Sequence, residues 1–90
     1  MSQREEMISE EEILRVHGRA DFGNMTPRDV VDEGVWKYAL GYSGGHTQYT
    51  ILREHKLLTK GNSRGFDAVL TKKGRRYARR LVQDGRITFK

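Results

Sequence analysis

Residues 43–74 read SGGHTQYTILREHKLLTKGNSRGFDAVLTKKG, and this stretch decides the predicted fold. It opens with glycines and continues with apolar residues three and four apart, a spacing typical of an amphipathic helix. Two short apolar runs follow, one on each side of the loop GNSRG, and such an arrangement favours a β-hairpin. The stretch therefore predicts a short helix followed directly by a basic hairpin.

The predicted helix has two distinct sides. Tyr49 and Leu52 lie on one side with His55 near them, and we expect this side to anchor the helix in the core. The other side carries short polar or basic side chains that could hydrogen-bond to base edges in a DNA groove. The candidate groove contacts are His46, Thr47, Gln48, Thr50 and Arg53.

The predicted hairpin would place a second set of polar groups beside a nucleic-acid backbone. Leu57 and Leu58 are expected to enter the first strand, Gly61 to Gly65 to form the loop, and residues 66–70 to form the return strand. The two glycines of the loop suit the positive dihedral angles of a hairpin turn. The candidate backbone contacts at its tip are Lys60, Asn62, Ser63 and Arg64.

A cationic amphipathic helix is predicted after the hairpin, with Thr71 as its N-cap. Its apolar stripe consists of Tyr77, Ala78, Leu81 and Val82. Its outer side is basic, and we expect that side to meet phosphate. The candidate phosphate contacts are Lys72, Lys73, Arg75 and Arg76, and Arg79 and Arg80 share the same basic side.

Two earlier helices are predicted from their start signals. Ser9 and Glu12 have capping-box spacing, which indicates a first helix to about His17. Thr26, with Pro27 and Asp29 after it, indicates a second helix to about Leu40. The expected core side chains of these two helices are Ile13, Leu14, Val16, Val31, Val35, Tyr38 and Ala39. Trp36 lies off the apolar face of the second helix; we expect it to pack in the core, although another helix, a partner or the hairpin could contact it instead. We expect the GYSGG segment from Gly41 to form the next turn.

Charge is unevenly distributed along the 90 residues. Residues 1–33 carry 4 basic and 9 acidic side chains, whereas residues 34–90 carry 13 basic and 3 acidic ones. The net charge of +5 therefore hides an acidic end and a strongly basic remainder. This segregation favours a defined surface for a polyanion.

Several functional classes are disfavoured by the sequence. The chain has no cysteine, its three histidines form no compact zinc pattern, and we expect neither a metal nor a cofactor. Ser43 and His46 have no acidic partner at a triad spacing, and GNSRG lacks a P-loop lysine, so we expect no enzyme and no small-molecule substrate. The acidic amino terminus is unlike a signal peptide, and no run approaches the roughly 20 apolar residues of a membrane span. We expect a soluble cytoplasmic protein of one domain, residues 1–90.

Residues 26–82 resemble a winged helix-turn-helix DNA-binding domain of small prokaryotic, archaeal and phage regulators. The run LREHKLLTKGNSRGFDAVLTKKGRRYARRL carries the resemblance most closely. It implies an α+β fold: a three-helix core, a β-hairpin wing and a C-terminal helix. It also implies that the candidate groove contacts belong to a recognition helix and that the candidate tip residues belong to the wing. Arg53 would bind either guanine or phosphate.

Two functions are consistent with these expectations. The first is a sequence-specific regulator, a repressor acting as a homodimer on double-stranded DNA, with the repeated domain adding base contacts. The alternative is a protein-interaction or architectural module that binds nucleic acid without sequence preference. Candidate dimer contacts are Met7, Ile8, Ile13, Ile87 and Phe89, all of which could instead complete the monomer's core. The segment RITFK, residues 86–90, could pair with an edge strand, pack against a partner subunit or fray.

Overall fold

The computed structural model describes residues 7–18, 20, 23–42, 45–60 and 68–84. Within these ranges the chain forms four helices. They are α1 (Glu10–His17), α2 (Pro27–Ala39), α3 (His46–Glu54) and α4 (Lys72–Gln83). No described helix is long and apolar enough to cross a membrane.

Three of the helices begin where their capping residues predict. The Ser9 hydroxyl accepts from the Glu12 amide at 3.2 Å, and Thr71 Oγ1 accepts from the Gly74 amide at 3.1 Å. At the start of α2, Thr26 Oγ1 accepts from the Asp29 amide at 3.1 Å while the Asp29 carboxylate accepts from the Thr26 amide. This reciprocal pair is a capping box. The predicted starts of α1, α2 and α4 are therefore confirmed.

Helix α2 is the centre of the fold, because α1, α3 and α4 each pack against it. Its contact with α3 is close at Gly34. A Cβ atom built there would lie 2.7 Å from Leu52 Cδ1, so any larger residue would require the Leu52 side chain to move. The buried apolar side chains form one core, whose members are Ile8, Ile13, Val30, Val31, Val35, Tyr38, Tyr49, Ile51, Leu52, Leu57, Leu58, Ala68, Tyr77 and Leu81.

A buried polar network also connects the helices. Arg28 donates to Glu10 Oε1 of α1 at 2.7 Å, to the Ile8 carbonyl at 2.6 Å and to the Tyr77 hydroxyl of α4 at 3.0 Å. Tyr77 in turn donates to Asp32 Oδ1 at 2.8 Å. Burial raises the pKa of Tyr77 and the Asp32 charge raises it further, so the phenol keeps its proton. Burial by itself would lower the pKa of Arg28, but its bonds to Tyr77 and Glu10 outweigh that effect and raise it.

Helices α2 and α3 end in the same backbone motif with different residues. After α2, Gly41 has a φ of 88° and the Tyr42 amide donates to the Lys37 carbonyl at 2.8 Å. After α3, Lys56 has a φ of 65° and the Leu57 amide donates to the Leu52 carbonyl at 2.9 Å. Both are Schellman-type ends, which need a left-handed residue after the cap. The predicted helix end at Gly41 is confirmed, while Ser43 and Gly44 of the predicted turn lie outside the described residues. The lysine in the second motif is unexpected.

The predicted α+β fold with a β-hairpin wing is wrong. In the described part of the chain the four helices account for the regular structure, and the expected strands are reduced to one isolated antiparallel bridge between Leu58 and Leu70. Successive residues of a strand point to opposite faces, yet Leu57 and Leu58 are both buried in the helical core. Just after the bridge, Thr71 caps α4 and donates to the Lys56 carbonyl at 2.7 Å, which ends the pairing. The predicted loop at residues 61–65 lies outside the described residues.

Several expected core and interface residues lie elsewhere. Leu14, Ala39 and Val82 are exposed, so their predicted burial is wrong. Ile8 and Ile13 are buried inside the monomer and are not available to a second copy. Met7 is half-buried against the core, Trp36 is half-buried, and Ile87 and Phe89 fall outside the described residues.

Candidate nucleic-acid interface

Helix α4 separates an apolar side from a strongly cationic one. Gly74, Tyr77 and Leu81 are buried against the rest of the fold, at the spacing of one helical stripe. The helix carries six lysine and arginine residues and no acidic residue between Lys72 and Gln83. Lys72, Arg75, Arg76 and Arg79 are exposed, while Lys73 and Arg80 are half-buried.

The orientation of α4 is fixed by a close backbone approach at Gly74. A Cβ atom built on Gly74 would overlap the Leu57 carbonyl oxygen and lie 3.1 Å from Leu70 Cδ2. The first turn of α4 therefore rests directly on the chain that leaves α3. Together with the buried Tyr77, this contact keeps the cationic side turned toward solvent.

Three arginines of α4 surround one depression on its outer side. Arg76, Arg79, Arg80 and Gln83 line a shallow cavity of about 260 Å³. Residues three and four apart are neighbours on a helix, so these guanidinium groups come from a single surface patch. Guanidinium forks match the geometry of phosphate oxygens. Arg79 and Arg80 were outside the predicted contact set, although their spacing from Arg76 is the signal that identifies them.

Most of the predicted groove contacts lie on the exposed side of α3. His46, Thr47, Thr50 and Arg53 are exposed. The Thr50 hydroxyl donates to the His46 carbonyl at 3.0 Å, so its proton is already used within the helix. The Arg53 guanidinium lies 5.6 Å from the centre of the Tyr49 ring, at cation–π distance, and remains open to solvent.

Gln48 does not face a groove. It is 4% exposed, and its side-chain amide donates to the Val30 carbonyl of α2 at 2.8 Å. Its Cγ and Cδ atoms occupy the space beside Gly34, 3.1 and 3.2 Å from where a Cβ atom would lie. The expectation that Gln48 reads a base edge is therefore wrong. The glycine in the middle of α2 was the available sequence signal, because a mid-helix glycine often marks a close packing contact.

The structure describes only part of the predicted wing tip, whose residues were expected to contact the nucleic-acid backbone. Lys60 is exposed two residues after the Leu58 bridge. Asn62, Ser63 and Arg64 lie outside the described residues. Lys60 is therefore one further exposed cation among the described residues, while the main cationic surface is α4 itself.

His55 is a polar residue whose imidazole ring is buried in the core. It is 1% exposed, and neither ring nitrogen has a hydrogen-bond partner among the described residues. Burial lowers the pKa of His55 to about 4; the Glu12 carboxylate opposes this shift, whereas Lys73, Arg15 and Arg28 reinforce it. The imidazole is therefore neutral at pH 7 and serves as a core side chain.

The described residues include no cluster of three or more His, Cys, Asp or Glu side chains that could hold a metal ion. Comparison with protein-family models, with curated proteins and with solved structures finds no match to this chain.

Proposed function

We propose that this protein binds double-stranded DNA and acts as a small transcriptional regulator in the cytoplasm, with α4 on the phosphate backbone and the exposed side of α3 toward the bases. The observation that carries the proposal is the cationic side of α4, which has six basic residues and no acidic one. A surface of this kind neutralises phosphates and releases their counterions.

The phosphate contacts are assigned to α4. Arg76, Arg79 and Arg80 converge on one depression, so a single phosphate can accept from more than one guanidinium group. Lys72 and Arg75 extend the same charge toward the start of the helix. These contacts supply affinity for any duplex and carry no sequence information.

The base contacts are assigned to α3, and they are few. His46, Thr47 and Arg53 are exposed with side chains that can reach outward, and Thr50 retains an acceptor. A single helix with so few base contacts would discriminate only weakly between DNA sequences. Two copies on a pseudo-palindromic site would double the set, which is why the proposed regulator acts as a homodimer.

A second candidate function is an architectural protein that binds duplex DNA without sequence preference. The inward-facing Gln48 favours it, because the side chain best suited to read adenine is not exposed. The two functions share the α4 surface and differ in whether substitutions on α3 change the preferred sequence.

The phosphate contacts are tested by fluorescence anisotropy against a mixed-sequence duplex over a salt series. Arg76→Gln and Arg79→Gln should each weaken binding to all duplexes and reduce the salt slope by about 0.9 per lost phosphate contact. Arg15→Gln is the matched control, because Arg15 is exposed on α1 and pairs with Glu12 at 3.7 Å. Equal affinities for Arg76→Gln, Arg79→Gln and the unaltered protein would refute the assignment.

The base contacts are tested by sequencing the duplexes retained from a random pool. Enrichment of one motif that is altered by Thr47→Ala or His46→Ala supports the regulator. Uniform retention with a steep salt slope supports the architectural function. A preference for single-stranded RNA over duplex DNA overturns both.

A further inference from the structure

An apolar groove runs along the side of α4 that faces the end of α2. It has a volume of about 580 Å³ and is lined by Tyr38, Ala39, Val69, Leu70, Arg75, Ala78 and Arg79. A second depression of about 360 Å³ continues it along α4 and is lined by Ala78, Arg79, Val82 and Gln83. Since Ala78 and Arg79 line both, the two depressions form one continuous surface, which we name the α2–α4 groove.

Two apolar side chains that line the groove are exposed to solvent. Val69 is 60% exposed and Val82 is 39% exposed, although both are branched aliphatic side chains. Clustered exposed apolar side chains with a polar rim are typical of protein-interaction surfaces.

The rim charges identify the kind of partner. Arg75 and Arg79 are four residues apart, so they stand one turn from each other along one edge of the groove. A two-fold contact between copies of this chain would bring these arginines toward their counterparts and create like-charge repulsion. A nucleic acid would satisfy the arginines but would leave the apolar lining without a matching surface.

We propose that the α2–α4 groove binds a short acidic amphipathic segment of another protein. Apolar side chains of that segment pack on Val69, Ala78 and Val82, and its carboxylates pair with Arg75 and Arg79. From Arg75 to Val82 the helix rises about 10 Å, so a segment of two to three helical turns covers the groove. The proposal does not require DNA binding, but Arg75 and Arg79 are also among the phosphate contacts proposed above, so the segment and DNA would compete for this side of α4.

The test uses a phage library of random twelve-residue peptides selected on the purified protein without DNA. Enriched sequences should combine aromatic or aliphatic residues with Asp or Glu, and a synthetic copy should bind in fluorescence anisotropy. Val69→Asp and Arg75→Glu should each weaken that binding at least tenfold. A peptide in which only the Glu residue that pairs with Arg75 is replaced by Lys should recover affinity for Arg75→Glu.

Leu14→Asp is the matched control, since Leu14 is 59% exposed on α1 and lies outside the groove. It should leave peptide binding unchanged, and thermal melts should establish that each variant is folded. If Val69→Asp does not fold, the charge reversal at Arg75 and its rescue decide the question alone. Basic or neutral enriched peptides, an absence of enrichment, or binding unaffected by Arg75→Glu would overturn the proposal.

Discussion

The Tyr77 hydroxyl donates to Asp32 Oδ1 at 2.8 Å and accepts from Arg28 at 3.0 Å, so one phenol on α4 joins two charged residues of α2. Tyr77→Phe removes both bonds without changing the packing of the ring. We expect the free energy of unfolding to fall by about 2 to 3 kcal/mol, because the lost bonds involve buried charged groups. Urea denaturation measures the change.

Tyr42→Phe serves as the control for that substitution, since Tyr42 is 68% exposed. It should change stability by less than about 0.5 kcal/mol. Equal stabilities for Tyr77→Phe and Tyr42→Phe would mean that the buried network contributes nothing.

Gln48→Ala should destabilise the fold and leave the preferred DNA sequence unchanged. The substitution removes the bond to the Val30 carbonyl and a buried side chain, and we expect a loss of about 1 to 3 kcal/mol. Gln83→Ala, at an exposed position near the end of α4, is the control for stability. A changed base preference with unchanged stability would restore Gln48 as a groove contact.

Lys56→Gly should stabilise the protein. Lys56 holds a φ of 65° at the end of α3, a conformation that glycine adopts without the steric penalty of a Cβ atom. We expect a gain of about 1 kcal/mol in thermal or chemical denaturation. Lys56→Ala keeps the Cβ atom and should show no such gain, and a matching gain in that variant would point to the lost charge instead.

Gly74→Ala should be strongly destabilising. The added methyl group would overlap the Leu57 carbonyl, which is backbone and cannot rotate away, so α4 must shift. Overpacking of this kind costs about 1 to 3 kcal/mol. Gly45→Ala is the matched control, because no atom lies within 4 Å of a Cβ built there. A melting temperature of Gly74→Ala as high as that of Gly45→Ala would contradict the close approach.

His55 should make the protein less stable in mild acid. Its folded-state pKa of about 4 lies below the ordinary value of 6.5, so the unfolded chain binds the proton first as the pH falls. The contribution is fully present above pH 6.5 and is lost as the pH falls toward 4. We expect the free energy of unfolding to fall by about 2 to 3 kcal/mol over that window.

His55→Leu should flatten this pH dependence, whereas His46→Gln, at an exposed position on α3, should preserve it. Chemical denaturation at pH 7, 5.5 and 4.5 makes the comparison. Parallel pH profiles for His55→Leu and the unaltered protein would show that His55 is not the responsible group.

Local signals in the sequence predicted local structure well. Ser9, Thr26 and Thr71 cap their helices because a cap depends on residues only three positions away. Tyr49, Leu52 and His55 are buried as helical spacing predicted.

Features that depend on other elements were not predicted. The alternation around Val69 is typical of a strand, but the described partner residues Leu57 and Leu58 both enter the helical core. Opposite charges four apart, as at Arg28 and Asp32, usually lie on the surface. Here they are buried, because Tyr77 supplies a partner that no window of sequence around α2 contains.

The bond between Arg28 and Tyr77 joins residues 49 positions apart, and it constrains the order in which the chain can complete its fold. During synthesis α1, α2 and α3 emerge before α4, while Arg28 and Asp32 still lack their tyrosine. Contacts between residues this far apart in the sequence form late in folding, because the long intervening segment must first be ordered. The docking of the cationic helix therefore completes the buried network, and the phosphate-binding side of α4 that we propose takes its orientation from the same contact.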